Sequence, residues 1–223
     1  MEAVPPARDL DRAPPDRPFD DRRHAGRVLA GHFEAGSGGD DVVVLGLLRG
    51  GVPVAAEVAE RLGSPLAALS VRKIGFPGQP ELARGAVSAN GALILNEATA
   101  VPGPELEAAV DRARAEARDI ERRFLPAGGG PSLAGRSAVL VDDGLATGAT
   151  MRAAVAAARL AGSLRVTVAV PVGAAGACEL VAADADQVVC AKIPRVFGAV
   201  GNWYRNFRQL DDDDVRSVLV PHG

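Results

Sequence analysis

Val139-Leu140-Val141-Asp142-Asp143-Gly144-Leu145-Ala146-Thr147-Gly148-Ala149-Thr150 is the stretch on which the fold and the chemistry of this chain turn. An apolar run of strand length ends in two adjacent carboxylates, a loop of small and hydroxyl-bearing residues follows, and a helical segment begins beyond it. At such a junction the main-chain N–H groups of Ala146 to Thr150 can converge on an anion, and the helix dipole adds favourable potential for a phosphate. Small side chains let a phosphate approach the backbone, while the Thr147 and Thr150 hydroxyls supply further hydrogen bonds. The carboxylates of Asp142 and Asp143 are acceptors suited to a pair of vicinal hydroxyls. A phosphate beside a diol describes ribose 5-phosphate. In an ordinary strand-turn-helix, two acids on a buried strand would cost stability without return. Nor is this the nucleotide P-loop: Ala149 precedes Thr150 where that motif has Lys, and no G-x-G-x-x-G follows a predicted strand.

Outward from this stretch, strands and helices alternate. Asp20 or Asp21 caps a helix carrying Ala25, Val28, Leu29, His32 and Phe33, expected to lie against a sheet edge. Val42 to Leu45 is a continuous apolar run suited to a strand buried on both faces. Gly50-Gly51 breaks it, and Pro53 opens a helix through Leu62. Leu66 to Val71 reads as the next strand, and Arg72 to Pro80, with two Pro and two Gly in nine residues, as a long mobile loop. Gly85–Ala89 and Ala92–Asn96 form a hairpin about Asn90-Gly91, the pair that best tolerates a type I′ turn. Glu105 to Phe124 is an amphipathic helix with Leu106, Ala109, Val110, Ala113, Ala117, Ile120 and Phe124 on one stripe. Ser137–Val141, Arg165–Val172 and Gln187–Ala191 are further strands; Ala153–Leu160 and Ala175–Ala182 are helices. Asp211 to Asp214 begins a last helix favourably with its dipole. The alternation predicts an α/β fold with a mainly parallel twisted sheet flanked by helices.

Of the 223 residues, 48% are apolar, enough for one substantial core. Met1 to Pro18, with five prolines, has the composition of a loose tail, which leaves 19–223 as one domain. Lys plus Arg number 25 against 28 Asp plus Glu, so the net charge of −3 gives no general attraction to nucleic acid or anionic membrane. Cys178 and Cys190 sit among apolar residues without nearby His and read as reduced core residues. No apolar run reaches the roughly 18 residues that span a bilayer, and no signal peptide is evident. A cytoplasmic protein is expected.

The twelve residues from Val139 to Thr150 closely resemble the phosphoribosyl pyrophosphate (PRPP) signature of type I phosphoribosyltransferases. The chain is similar to a bacterial subgroup of that family through Leu48-Arg49-Gly50-Gly51-Val52-Pro53-Val54, Val71-Arg72-Lys73, Asn96-Glu97 and Ala199-Val200-Gly201-Asn202-Trp203-Tyr204. The resemblance implies the family's fold, with a β-hairpin flexible-loop arm and a small hood from the C-terminal and N-terminal segments. It also implies a homodimer that binds PRPP and a small-molecule acceptor. In the family the loop matched by Arg49-Gly50-Gly51 binds pyrophosphate and often contains a cis peptide. Leu48 stands where the subgroup usually has proline. Read from the residues alone, Arg49 and the glycines at a strand end make a second anion nest, or Gly50-Gly51 is only a tight turn.

Family resemblance further implies transfer of 5-phosphoribosyl from PRPP to a nitrogen nucleophile with release of pyrophosphate. Arg49, Lys73 and Asp143 are then the catalytic candidates, and Arg72 and Lys73 join the pyrophosphate site, unless they form only a solvated strand end. Mg²⁺ is expected to arrive with PRPP and to reach the protein through Asp142 and Asp143 rather than a dedicated cluster. Phe197, Trp203 and Tyr204 are candidates for an acceptor hood that stacks on a planar ring; equally they cap the sheet edge or enter a dimer interface. Ala146 stands where 6-oxopurine enzymes of the family carry an Asp, which argues against a hypoxanthine or guanine enzyme of that design. A non-catalytic PRPP or nucleotide sensor on the same fold is the alternative. The sequence shows no helix-turn-helix or basic patch that would make such a sensor bind DNA.

Overall fold

Apolar runs that are buried on both faces pair in parallel and need helices above and below them, and three such runs, with a partly exposed run at either edge, organise this molecule. The computed structural model describes residues 19–76, 79–95, 102–125 and 130–219. In chain order the elements are α1 (Arg22–Ala30), β1 (Val42–Leu47), α2 (Gly51–Leu62), β2 (Leu66–Leu69), β3 (Val71–Phe76), β4 (Gln79–Ser88), β5 (Leu93–Leu95), α3 (Pro104–Arg122), β6 (Ser137–Val141), α4 (Ala149–Leu160), β7 (Arg165–Val170), α5 (Ala175–Ala182), β8 (Gln187–Cys190) and α6 (Asp212–Leu219). The main sheet is parallel in the order β2-β1-β6-β7-β8, and β3-β4-β5 form a separate antiparallel sheet. This is the predicted α/β architecture with its hairpin arm. Among the described residues no helix is long and apolar enough to cross a membrane.

Strand alternation divides the core in two. Val43, Leu45, Leu140, Val166 and Val168 point to the face covered by Met151, Ala154 and Val155 of α4 and by Ala177 and Val181 of α5. Val44, Val139, Val141 and Ala169 point to the opposite face, against Val54 and Val58 of α2 and Leu29 of α1. Each fully buried Val or Leu contributes about 1.5–3 kcal/mol relative to exposure. Asp21 caps α1, its carboxylate accepting the His24 N–H at 2.8 Å. The helix does not flank a sheet edge as the sequence suggested; its apolar residues share a core with α2 over the sheet face.

The largest departure from expectation lies after β2. Leu66 to Val71 is not one strand, because β2 ends at Leu69 and Val71 begins the other sheet, with only Ser70 between. Arg72 to Phe76 is not irregular loop either. It pairs with β4 in the register Arg72↔Val87, Lys73↔Ala86 and Ile74↔Gly85, with irregularities on either side of Gly75. Ile74 and Val87 then bury against Leu106, Val110 and Ala113 of α3. Pairing and this helix supply the stabilisation that the glycine- and cation-rich segment does not advertise locally. The expected tail from Met1 to Pro18, Pro77 and Gly78 of the expected loop, and Asn96-Glu97 lie outside the described residues.

Candidate functional site

The loop leaving β6 is held by the main chain rather than by its own side chains. Leu145 N–H donates to Val172 O at 2.9 Å, and Leu145 O accepts from Ala174 N at 2.8 Å. Gly148 then turns the chain into α4 with φ 83°, a conformation L side chains rarely adopt. No side chain caps α4. The main-chain N–H groups of Ala146, Thr147, Gly148, Ala149 and Thr150 find no main-chain acceptor among the described residues. Ala146 and Thr147 are exposed. Five open donors at the positive end of a 12-residue helix suit an anion, the use that the sequence suggests for them.

The two carboxylates beside it differ. Asp142 Oδ1 accepts the Asp143 N–H at 2.9 Å. Burial first, and the neighbouring Asp143 charge second, raise the Asp142 pKa well above the usual carboxylate range, against the pull of that hydrogen bond and of Arg22 and Lys73. Burial also raises the Asp143 pKa, while Arg22 works against it. Arg22 Nε donates to Asp143 Oδ2 at 2.8 Å, with the side chains only 11% and 14% exposed. The Arg22 guanidinium also stacks 4.0 Å from the Phe207 ring centroid and donates to Arg208 O at 3.0 Å. Sequence reasoning missed Arg22: nothing near it in the chain announces a partner 121 residues away.

Arg49-Gly50-Gly51 joins β1 to α2, and the Leu48–Arg49 peptide is cis. Neither glycine has a positive φ, so neither is required by turn geometry. Both are required by proximity. A Cβ on Gly50 would lie 2.1 Å from Asp143 Oδ2, and one on Gly51 would lie 2.4 Å from Val141 O and 2.9 Å from Asp142 Cα. The proposed diphosphate loop and the carboxylate strand end therefore touch main chain to main chain. Between them opens a cavity of about 340 Å³ lined by Arg22, Arg49, Arg72, Asp142, Asp143 and Leu210, with Leu48, Gly50, Ser70, Ile120 and Gln209 completing its wall. Lys73, one residue on, is exposed on β3.

The three aromatic candidates stand elsewhere. Tyr204 is buried, packs on Phe19 and Phe207, and donates its hydroxyl to Asp143 O at 2.5 Å. Trp203 Nε1 donates to Phe197 O at 3.0 Å, and Lys192 Nζ lies over its ring. Phe197, Trp203 and Tyr204 form a cluster with Phe19 and Val172, and none of them lines the cavity. Their planarity is spent on packing, and the segment after them, Gln209-Leu210, faces the cavity instead. Among the described residues no group of three or more His, Cys, Asp or Glu can hold a metal. Cys178 and Cys190 are buried and free, as expected of core residues.

This geometry has relatives. The sequence model of the phosphoribosyl transferase domain matches residues 21–206. Proteins of two Mycobacterium tuberculosis strains, each provisionally named a phosphoribosyl transferase, are 48% identical over 206 residues, 90% of this chain and 46% of theirs. The chain thus spans about half the length of the curated relatives it matches. A crystal structure of a protein from Thermus thermophilus is 44% identical and superposes with a TM-score of 0.76, covering 92% of this chain and 98% of that one. With a matched span that runs from the cap of α1 through both loops to the aromatic cluster, the chain belongs to the phosphoribosyl transferase domain family.

Proposed function

We propose that the protein binds PRPP and transfers its 5-phosphoribosyl group to a nitrogen nucleophile, releasing pyrophosphate. The observation that carries this reading is the row of open N–H donors from Ala146 to Thr150 at the start of α4, following directly on the paired carboxylates of Asp142 and Asp143. The nest takes the 5-phosphate, and the carboxylates take the ribose 2- and 3-hydroxyls. Arg49 and Arg72, across the cavity, take the diphosphate. Arg22 keeps Asp143 oriented and balances part of its charge.

The reaction breaks the bond between C1 and the diphosphate oxygen, whose electron pair leaves with pyrophosphate, and forms a bond from the acceptor nitrogen to C1. The acceptor proton passes to solvent. Charge grows on the departing diphosphate, so donors already aimed at it lower the barrier without reorganisation. Lys73, whose charge acts on Asp142, belongs to this set. Two adjacent carboxylates whose pKa values are raised, by burial first, suit a divalent cation, and Asp142 and Asp143 would hold Mg²⁺ together with substrate oxygens. When bound, Mg²⁺ neutralises diphosphate charge. The acceptor approaches from the side of Gln209 and Leu210, the cavity wall contributed by the C-terminal segment.

The test is a panel of nitrogenous bases incubated with PRPP and Mg²⁺ and scored by pyrophosphate release, with ribose 5-phosphate affinity measured by calorimetry. Asp143→Asn should weaken ribose 5-phosphate binding by about 1–3 kcal/mol through loss of a charged hydrogen bond. Unchanged affinity removes the diol assignment. Intact binding without turnover for any base turns the reading to a sensor.

A further inference from the structure

The C-terminal segment runs back across the site after the aromatic cluster and occupies it. Arg22 Nη1 donates to Arg208 O at 3.0 Å, and Arg49 Nη1 donates to Leu210 O at 3.4 Å. Arg49 Nη2 lies 2.9 Å from Asp212 Oδ1, and Arg123 Nη1 donates to Asp212 Oδ2 at 3.3 Å. Arg208 and Asp214 pair through both guanidinium nitrogens. Beyond them α6 is anchored separately, with Val215 fully buried among Val52, Ala68 and Phe124. The segment Gln209–Asp212 is therefore fixed at one end by α6 and at the other by the Tyr204 cluster, and its middle is held over the cavity by Arg49.

Arg49 offers a fork of donors that matches the geometry of a carboxylate or a phosphate. In this structure Asp212 Oδ1 stands in ion-pair contact with one arm of that fork and Leu210 O accepts from the other, although Arg49 is the cation the proposed function assigns to the diphosphate. We infer that Asp212 is a specificity-determining residue, an internal carboxylate that competes with the substrate diphosphate for Arg49. A ligand with only a 5-phosphate fills the loop from Asp142 to Thr150 and leaves Asp212 in place. A ligand with a diphosphate carries several charges against one and displaces it. Arg123, at the end of α3 and outside the cavity wall, already holds the second carboxylate oxygen and keeps Asp212 paired after Arg49 lets go. Leu210, whose carbonyl accepts from the same guanidinium, is released at the same step, so the cavity wall formed by Gln209 and Leu210 rearranges when the diphosphate binds.

The inference rests on the PRPP reading, and the experiment separates the two. Calorimetry with sodium pyrophosphate plus Mg²⁺, and separately with ribose 5-phosphate, compares the wild type with Asp212→Asn. Pyrophosphate should bind the variant about two- to fivefold more tightly, because a partly exposed ion pair no longer opposes it, while ribose 5-phosphate affinity is unchanged. In the wild type, tryptic cleavage after Arg208 should accelerate with Mg²⁺-pyrophosphate and not with ribose 5-phosphate, a measurement that needs no variant. Pyrophosphate affinity that is unchanged or weaker in Asp212→Asn, or an equal gain for both ligands, overturns the inference and leaves the PRPP site standing. A wild type that binds neither ligand overturns the PRPP reading itself.

Discussion

Gly51→Ala puts one methyl group where the proposed diphosphate loop meets the carboxylate strand. The new carbon would stand 2.4 Å from Val141 O and 2.9 Å from Asp142 Cα, and a relaxed carbon–oxygen contact lies near ~3.3 Å. The atoms in the way belong to the main chain of β6, buried at the centre of the parallel sheet, so no side chain can swing aside. The loop and the first turn of α2 must retreat by about 1 Å. Overpacking of this kind costs about 1–3 kcal/mol, and main-chain contact places the variant in the upper half of that range. For a chain of this size that lowers Tm by about 4–12 °C. The same retreat moves Arg49 away from Asp142, and a displacement near 1 Å in a catalytic site costs on the order of 10²-fold in rate. Thermal unfolding by circular dichroism, with pyrophosphate release as the second readout, makes the comparison. Gly176→Ala is the control: it lies in the first turn of α5 with nothing within 4 Å of its Cβ position, and should match or slightly exceed the wild type. If Gly51→Ala melts with the wild type and turns over normally, the two loops are not held by close main-chain approach, and proximity does not require glycine at position 51.

Asp142→Asn should stabilise the fold increasingly as pH rises. The folded-state pKa of Asp142 is raised by burial and by Asp143, so wild-type stability is highest where the group is protonated in both states and falls as pH climbs from the unfolded value toward the folded one. The Tm difference should therefore vanish near about pH 4 and favour the variant at about pH 7, and a pH-independent difference would contradict the raised pKa. Tyr204→Phe removes the donor to Asp143 O and should cost about 1–3 kcal/mol, read as a lower urea midpoint at constant m-value; an unmoved midpoint would show that the bond contributes nothing. Lys73→Ala should lower kcat with little change in the KM for PRPP, since only stabilisation gained in the transition state accelerates the step; normal kcat with raised KM would assign Lys73 to ground-state phosphate binding.

What the sequence made legible is what lies close together in it. The strand, the carboxylates, the open N–H groups and the helix start occupy twelve consecutive residues, so their arrangement is legible from spacing alone, and the buried strands declare themselves through Val42–Leu45 and Ser137–Val141. The rest depends on residues far apart. Arg22 meets Asp143 across 121 positions, and Arg49 meets Leu210 across 161. In the sequence Arg22 is one more charged residue at a helix start, and Asp212 one of four acids whose helix-dipole role sufficed to explain it. Trp203 and Tyr204 were offered as ring-stacking groups because exposed and buried aromatics look alike in a sequence. Burial of Tyr204 against Phe19 is decided by the pairing of the N-terminal and C-terminal segments, with Phe19 N–H donating to Trp203 O and Arg205 N–H donating to Phe19 O. The arm was read as a loop because a strand with two cations and a glycine shows its regularity only beside a partner.

The irregularity at Gly75 divides that arm mechanically. Val71 and Ile74 are buried, and Ala86, on the paired strand, shares a core with Met151 and Ala154 of α4, the helix whose first turn carries the proposed phosphate nest. The inner half of the hairpin and the nest are thus parts of one rigid block. Any swing of the arm has its fulcrum near Gly75, and Arg72 and Lys73 sit on the fixed side of it, in register with Val87 and Ala86. Gly75 stands a single residue before the end of β3, roughly 3.3 Å of strand. On the proposed reading the two cations are not carried to the departing diphosphate: they stand in place on the paired strand, and their ordering entropy is met when the chain folds rather than at each catalytic cycle.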